Sequence, residues 1–305
     1  NQGCISRLFD QLDVWCTVNP VTARELEFAQ PAPARKLKVL VAGGGPAGMA
    51  AAKFAAGRGH RVILCEKTGR LGGQLFVASA APYRPGWEEL RQYLVGEMGR
   101  LGIDVRLDTE VTADLARDEQ PDAAVIAIGS HASRPDIPGI TGRGVVIARD
   151  VLEGTVTASG RVVVAGGGCA GAQTAEFLVD RGNQVTIVEM LGAIAIDAPK
   201  AERELLLARL IAKGVKILSD TRILSIEDGR VGIQRPEGLG YLDADSVVIC
   251  MGSTPNDSLK EELLGIVPRV MLVGDAADPR KVTEAMAEGA LAGLYADPAE
   301  SRAAA

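Results

Sequence analysis

The sequence predicts an α/β fold with two domains, each built on a parallel sheet, and three observations carry that expectation. At 305 residues with 47% hydrophobic composition, the chain is long enough for about two domains with buried cores. A short apolar run ending in glycines occurs twice, as VLVAGGGPAG at 39–48 and as VVVAGGGCAG at 162–171. Each copy leads into a second apolar run ending in glutamate, VILCE at 62–66 and VTIVE at 185–189. Gly43, Gly45, Gly48 and Glu66 map onto Gly166, Gly168, Gly171 and Glu189 at a constant offset of 123, so the chain contains an internal duplication.

Taken in order, residues 1–35 stand apart. They hold two cysteines, a Cys-Thr-Val-Asn-Pro stretch at 16–20 and a Pro/Ala run in which Pro31 and Pro33 favour extended backbone, so a linker is expected before Lys36. Residues 37–42 read as a buried parallel strand, Pro46 to Gly57 as a helix packed through alanines, and Val62 to Glu66 as the next strand. That is one βαβ unit in about 30 residues. A loop at 69–74 follows, then a helix over 87–101 and strands at 103–107 and 122–129, with a proline-containing crossing after Gly129. The second βαβ unit spans 161–190. After it come a helix from Pro199, taken as its first helical residue, to Lys213, and strands at 215–218, 222–227, 231–234 and 246–251. A short strand at 270–273, the turn Gly274-Asp275 and an alanine-rich helix over 280–295 complete the chain.

Composition narrows the function. A net charge of −6 without a basic block excludes an electrostatic footprint for nucleic acid and speaks against an anionic membrane surface. No apolar run approaches the roughly 18 residues of a membrane helix, and the first ten residues lack signal-peptide order, so a cytoplasmic protein is expected. Cysteines 4, 16, 65, 169 and 250 are scattered and contain no Cys-x-x-Cys, so neither a disulfide framework nor a dithiol pair is indicated. Redox chemistry then requires a bound cofactor. Partners are expected to be small molecules or proteins, and a homo-oligomer stays open.

The repeated turn supplies the cofactor chemistry. In Gly43-x-Gly45-x-x-Gly48 the three glycines serve a tight turn, close approach to a pyrophosphate, and close helix-strand packing. Phosphate sits at the helix N-terminus, which here opens with Pro46 and Ala47, and the unpaired N–H groups of that first turn, Pro46 excepted, favour negative charge. Glu66, followed by Lys67, stands where a carboxylate accepts hydrogen bonds from an adenosine ribose. The context of each copy, strand before and helix after, makes both Rossmann-like dinucleotide sites. The alternative, that the glycines serve packing alone, weighs more on the second copy, because a duplicated domain can keep its fold after losing its ligand. In that copy Glu189 favours a free 2′-hydroxyl over a 2′-phosphate, hence NADH over NADPH; Arg181 is read as a solvated turn residue that softens this preference only if it points inward. Cys65 and Cys250 read as apolar strand residues, Cys169 as a thiol at a helix N-terminus without a partner thiol, and His60 and His131 as residues without a catalytic partner.

With these motifs the sequence resembles the flavoproteins with two dinucleotide-binding domains, over about residues 36–300. The resemblance includes Leu71-Gly72-Gly73-Gln74, Ala127-Ile128-Gly129, Gly252 with Pro255-Asn256, and Val273-Gly274-Asp275. Ile128 departs from the threonine usual in the crossover motif. The resemblance implies two Rossmann-like three-layer domains, the second inserted into the first: an FAD domain over 36–150 plus 252–305 and an NAD(P)H domain over 151–251. It also implies that Gly73, Gln74, Gly129, Gly274, Asp275 and Lys281, next to Arg280, lie against the flavin.

Cys4-Ile5-Ser6-Arg7 and Cys16-Thr17-Val18-Asn19-Pro20 resemble part of a cysteine pattern from a narrower group. It contains 2,4-dienoyl-CoA reductase, enoate reductase, trimethylamine dehydrogenase and histamine dehydrogenase. In that group an N-terminal old yellow enzyme-type barrel carries FMN, and a [4Fe-4S] cluster links it to the dinucleotide domains. The resemblance implies Cys4 and Cys16 as two of the four cluster ligands, the others lying ahead of Asn1, with the barrel in the same or another chain. For the isolated chain the alternative, two ordinary thiols, stays open. The expected function is transfer of a hydride from NADH to FAD and of electrons onward to FMN, where an activated C=C bond is reduced. Two alternatives stand beside it: an amine dehydrogenase portion holding ADP in place of FAD and passing electrons to an electron-transfer flavoprotein, and a nucleotide-binding scaffold without turnover.

Overall fold

The computed structural model describes residues 2–29, 33 and 35–297. The described residues form two compact units. The first holds those within 1–76, 85–131 and 254–305, and the second 77–84 and 132–253.

The first unit is built on five parallel strands in the order Val270–Leu272, Ala123–Ile126, Lys38–Ala42, Arg61–Cys65, Asp104–Arg106. Side chains alternate between its faces, as the period of two along a strand requires. Val39, Val41, Val62, Leu64 and Val125 meet the helices Pro46–Gly57, Pro85–Arg100 and Val282–Leu294. Leu40, Ala42, Ile63, Cys65 and Ile126 face the shorter helices Ala113–Glu119 and Ser258–Leu263. Helices 46–57 and 282–294 pack backbone to backbone: a Cβ on Gly289 would strike the Ala47 carbonyl, and one on Gly293 the Ala51 carbonyl. Gly289 and Gly293 permit that approach, which the alanines around them keep close.

The second unit repeats the plan. Its parallel strands run Val145–Ile147, Ser246–Ile249, Arg161–Ala165, Gln184–Val188, Lys216–Leu218. One face carries helices Cys169–Val179 and Lys200–Ala212 over Val162, Val164, Val185 and Ile187. The other is covered by an antiparallel meander, Arg222–Glu227, Arg230–Arg235 and Gly238–Asp243, through Ile223, Ile226, Val231 and Ile233. Both units are therefore three-layered, with a meander replacing helices on one face of the second. The outermost strand at one end of the first sheet comes from Val270–Leu272, beyond the second unit in sequence, which is what insertion requires.

The expected domain boundaries shift. The first crossing falls between 131 and 132 instead of 150 and 151, because Val145–Ile147 pairs with Val247–Ile249 and completes the second sheet. The return falls after Ser253, where Gly252 had been placed in the first domain. Residues 77–84 also belong to the second unit. There Arg84 pairs with Glu202 at 2.5 Å, and the Tyr83 ring lies under Arg209 and Lys213. Pro199 precedes its helix as the capping residue instead of starting it.

Residues 1–35, expected to stand apart, group with the first unit through specific contacts. Thr17 Oγ1 meets Thr283 Oγ1 at 2.7 Å, Tyr295 donates to the Glu27 carbonyl, and the Phe28 ring packs on Phe54 at 5.5 Å. Of the proposed linker, residues 30–32 and 34 lie outside the described residues.

Candidate functional site: two matched glycine turns

Each turn is held by the same contacts. Gly43 and Gly166 have φ of +102° and +100°, and a Cβ on either would strike the carbonyl oxygen at the end of the next parallel strand, Ala127 or Cys250. A Cβ on Gly48 or Gly171 would strike the carbonyl of Gly43 or Gly166. These four glycines are required by the fold itself. Gly45 and Gly168 differ. Each caps its helix, Pro46–Gly57 or Cys169–Val179, and no helix cap comes from its own side chain. A Cβ on Gly45 would meet nothing within 4 Å, and one on Gly168 nothing nearer than Asp197 Oδ1 at 3.7 Å. Next to the helix N-terminus the open space at Gly45 fits a pyrophosphate; at Gly168 the same place is bordered by the Asp197 carboxylate, which accepts the Cys169 amide at 2.7 Å.

The two glutamates are buried, Glu66 at 8% and Glu189 at 9% exposure. Glu66 Oε2 accepts the Gly44 amide at 2.7 Å and Oε1 accepts the amide and hydroxyl of Thr68. Glu189 Oε2 accepts the Gly167 amide at 2.7 Å and Oε1 the Leu191 amide at 2.8 Å. Each carboxylate is thus clamped to the middle glycine of its turn, which charge-assisted bonding orients. Its remaining lone pairs are what a ribose would use. Lys67 is exposed next to Glu66.

In the first unit further residues converge on Asp275. Its Oδ2 accepts from Gln74 Nε2 at 2.6 Å and Ser130 Oγ at 3.3 Å, and Oδ1 accepts the Arg280 amide at 3.3 Å. Gly274 takes φ +60° beside Ala47, and its amide donates to Glu288, which also pairs with Arg280. Gly73, at φ +49°, lies against Gly45. Gly129, at φ +81°, accepts the Asn256 amide, and Lys281 is the exposed residue preceding helix 282–294. The glycine turn, Gly73-Gln74 and Gly274-Asp275 are thus brought together. Ser130, Thr68 and Glu288 had no signal in the sequence.

The remaining candidates fall into place. Arg181 does not point inward: it stacks on Phe177 at 3.4 Å and donates to the Phe177 carbonyl. His60 is buried and accepts the Leu37 amide through Nδ1, while His131 is exposed. Burial raises the Cys65 thiol pKa, and burial with Asp197 nearby pushes Cys250 up to about 12, so both are poor nucleophiles. Cys169 accepts from Gln173 Nε2 at 2.9 Å.

Cys4 and Cys16 are neighbours of Gly3 and Trp15, whose backbones are joined by a Trp15 N–H to Gly3 carbonyl bond of 2.5 Å. The fold therefore brings the two cysteine-bearing segments together. Among the described residues, however, no group of three or more His, Cys, Asp or Glu is arranged to hold a metal, so these residues alone do not fit a four-thiolate cluster.

Two dinucleotide-binding units, the second inserted into the first, with matched glycine turns define the class of two-domain flavin and nicotinamide oxidoreductases. The chain belongs to the pyridine nucleotide-disulphide oxidoreductase family, whose model matches residues 37–289. It is accordingly a flavin-dependent oxidoreductase portion that binds FAD and NAD(P)H. An NADH oxidase from Thermoanaerobacter brockii is 38% identical over 298 residues, which are 95% of this chain and 46% of that protein. A bilirubin reductase from Mediterraneibacter gnavus is 37% identical across 96% of this chain and 46% of its own length. A solved 2-naphthoyl-CoA reductase complex superposes with a TM-score of 0.92 at 35% identity, covering 97% of this chain and 45% of that one. The histamine dehydrogenase from Rhizobium sp. 4-9, at 23% identity and a TM-score of 0.86, shares the fold. The chain spans about half the length of these relatives. Among the described residues no helix is long and apolar enough to cross a membrane.

Proposed function

We propose that this chain is the electron-entry portion of an NADH-dependent flavin and iron-sulfur oxidoreductase. The observation that carries the proposal is the pair of matched glycine turns, open at Gly45 and bordered by the exposed Asp197 at Gly168, each with a clamped glutamate. FAD supplies the hydride-accepting ring in the first unit and NADH the hydride in the second. Gly43, Gly45, Gly48 and Glu66 hold the adenine half of the flavin nucleotide, while Gln74 and Ser130 fix Asp275 for its ribitol. Gly166, Gly168, Gly171 and Glu189 hold NADH, and Glu189 disfavours a 2′-phosphate because its buried carboxylate has no cation from Arg181 to offset it. Transfer between aligned rings needs positioning more than an acid or base.

Cys4 and Cys16 would supply two ligands of a [4Fe-4S] cluster, completed by thiolates from an N-terminal barrel with FMN in the same or another chain. That the relatives are about twice this length supports such a barrel. The substrate would be an activated C=C bond reduced in the barrel, a chemistry supported by the 2-naphthoyl-CoA reductase likeness. The test is to identify the nucleotide released on denaturation and to assay NADH oxidation with an artificial acceptor. FAD release with oxidation above a blank is expected. ADP release, or FAD without oxidation, would overturn the proposal in favour of an amine dehydrogenase portion or a scaffold.

A further inference from the structure

The duplication extends past the glutamates. At the same offset of 123, Leu71-Gly72-Gly73-Gln74 aligns with Ile194-Ala195-Ile196-Asp197. The geometry repeats as well. Gly72 donates to the Gly44 carbonyl at 2.9 Å, and Ala195 donates to the Gly167 carbonyl at 2.7 Å. Leu71 closes over Gly44 as Ile194 closes over Gly167, where a Cβ would stand 2.6 Å from Ile194 Cγ2.

One position breaks the symmetry. Gln74 is neutral and reaches Asp275, and the helix it adjoins begins with Pro46, which has no N–H. In the second unit the aligned Asp197 turns onto the phosphate turn, and its Oδ1 accepts the Cys169 amide at 2.7 Å. Both its carboxylate oxygens lie within 3.8 Å of where a Gly168 Cβ would be. That amide, the first of helix Cys169–Val179, is among those a pyrophosphate would take.

We infer that Asp197 is a built-in competitor for the dinucleotide pyrophosphate and sets the affinity of the second unit. The inference rests on the proposed nicotinamide role of that unit. A pyrophosphate that takes the Cys169 amide must displace this carboxylate, and two like charges at one helix terminus repel. The displacement is local. Asp197 is exposed and leaves by side-chain rotation, while Ile194 and Ala195 are buried and Arg203 Nε holds the Ile194 carbonyl at 2.8 Å. Because the competing groups are at the surface, the effect is screened by salt.

The test is calorimetric titration of ADP-ribose and NAD⁺, which carry the pyrophosphate without reducing the flavin, into the flavin-loaded chain and its Asp197→Asn and Asp197→Ala forms, at low and high salt. Bound flavin content reports that each variant folds. Tighter binding by both variants, about two- to fivefold at low salt and shrinking at high salt, is expected from the usual size of a charge effect at a helix end. Equal or weaker binding by folded variants overturns the role of Asp197 alone. If neither the parent chain nor the variants bind either probe, the nicotinamide assignment of the second unit falls with it.

Discussion

Replacing Gly45 by alanine should separate cofactor binding from folding. At Gly45 the backbone takes φ −75° and ψ −177°, which alanine adopts freely, and its Cβ would meet nothing within 4 Å. The substitution should therefore leave stability unchanged or raise it by about 0.4–1 kcal/mol through the unfolded chain. The methyl group nevertheless enters the space assigned to the pyrophosphate. Losing one charge-assisted hydrogen bond there corresponds to about 1.5–3 kcal/mol, or roughly 10- to 100-fold weaker FAD binding. Gly48→Ala is the contrasting control. Its Cβ would lie 3.1 Å from the Gly43 carbonyl carbon and closer still to the oxygen, so the turn must open at a cost of about 1–3 kcal/mol or more. Thermal unfolding and FAD titration of the two purified variants distinguish the effects. A Gly45→Ala protein that keeps the parent FAD affinity would refute the assignment of this turn to the pyrophosphate.

Other outcomes follow from the same geometry. Glu189→Gln, which removes the charge while keeping one acceptor, should narrow the preference for NADH over NADPH by roughly tenfold, read from the ratio of kcat/KM values. Asp275→Ala should lower the flavin retained through purification, because Gln74, Ser130 and the Arg280 amide lose their shared acceptor; the measurement is the ratio of flavin to protein absorbance. Glu176 is 1% exposed and bonded to Arg209 and Lys213. Burial raises its pKa, but the two cations outweigh burial and hold it below the ordinary glutamate range. A lowered folded pKa means that its stabilisation is present above the unfolded value and lost as pH falls through the folded one. Glu176→Ala should thus cost about 2–3 kcal/mol at neutral pH, less than a fully buried pair because both cations touch water, and the gap should begin to narrow at the ordinary glutamate range and close only as pH falls through the lower folded value in urea melts.

The units were legible because their determinants are local. Buried parallel strands need unbroken apolar runs, and a turn whose carbonyls sit against glycine Cα atoms admits no other residue, so Gly43, Gly48, Gly166 and Gly171 announced themselves. Helix 46–57 was readable to its ends because Pro46 and Gly57 mark them. The short strand Val145–Ile147 was missed, since three residues carry no period and its place is set by pairing with Val247–Ile249. For the same reason the domain boundary was set too late. Helix 113–119 was also missed; its signal, Thr112 accepting the Leu115 amide, is a capping interaction without a strong apolar stripe. At the site, Ser130 joins Asp275 across 145 residues of sequence, which no local pattern reveals. Asp197 was within reach. Extending the 123-residue offset by eight positions beyond Glu189 lands on it.

The most direct measurement of the central claim is anaerobic addition of NADH to the chain with FAD demonstrably bound, followed at the flavin absorption band. The account predicts prompt bleaching in the parent chain and slower bleaching in Gly168→Ala, with FAD retained in both. An unchanged spectrum in the parent chain would contradict it.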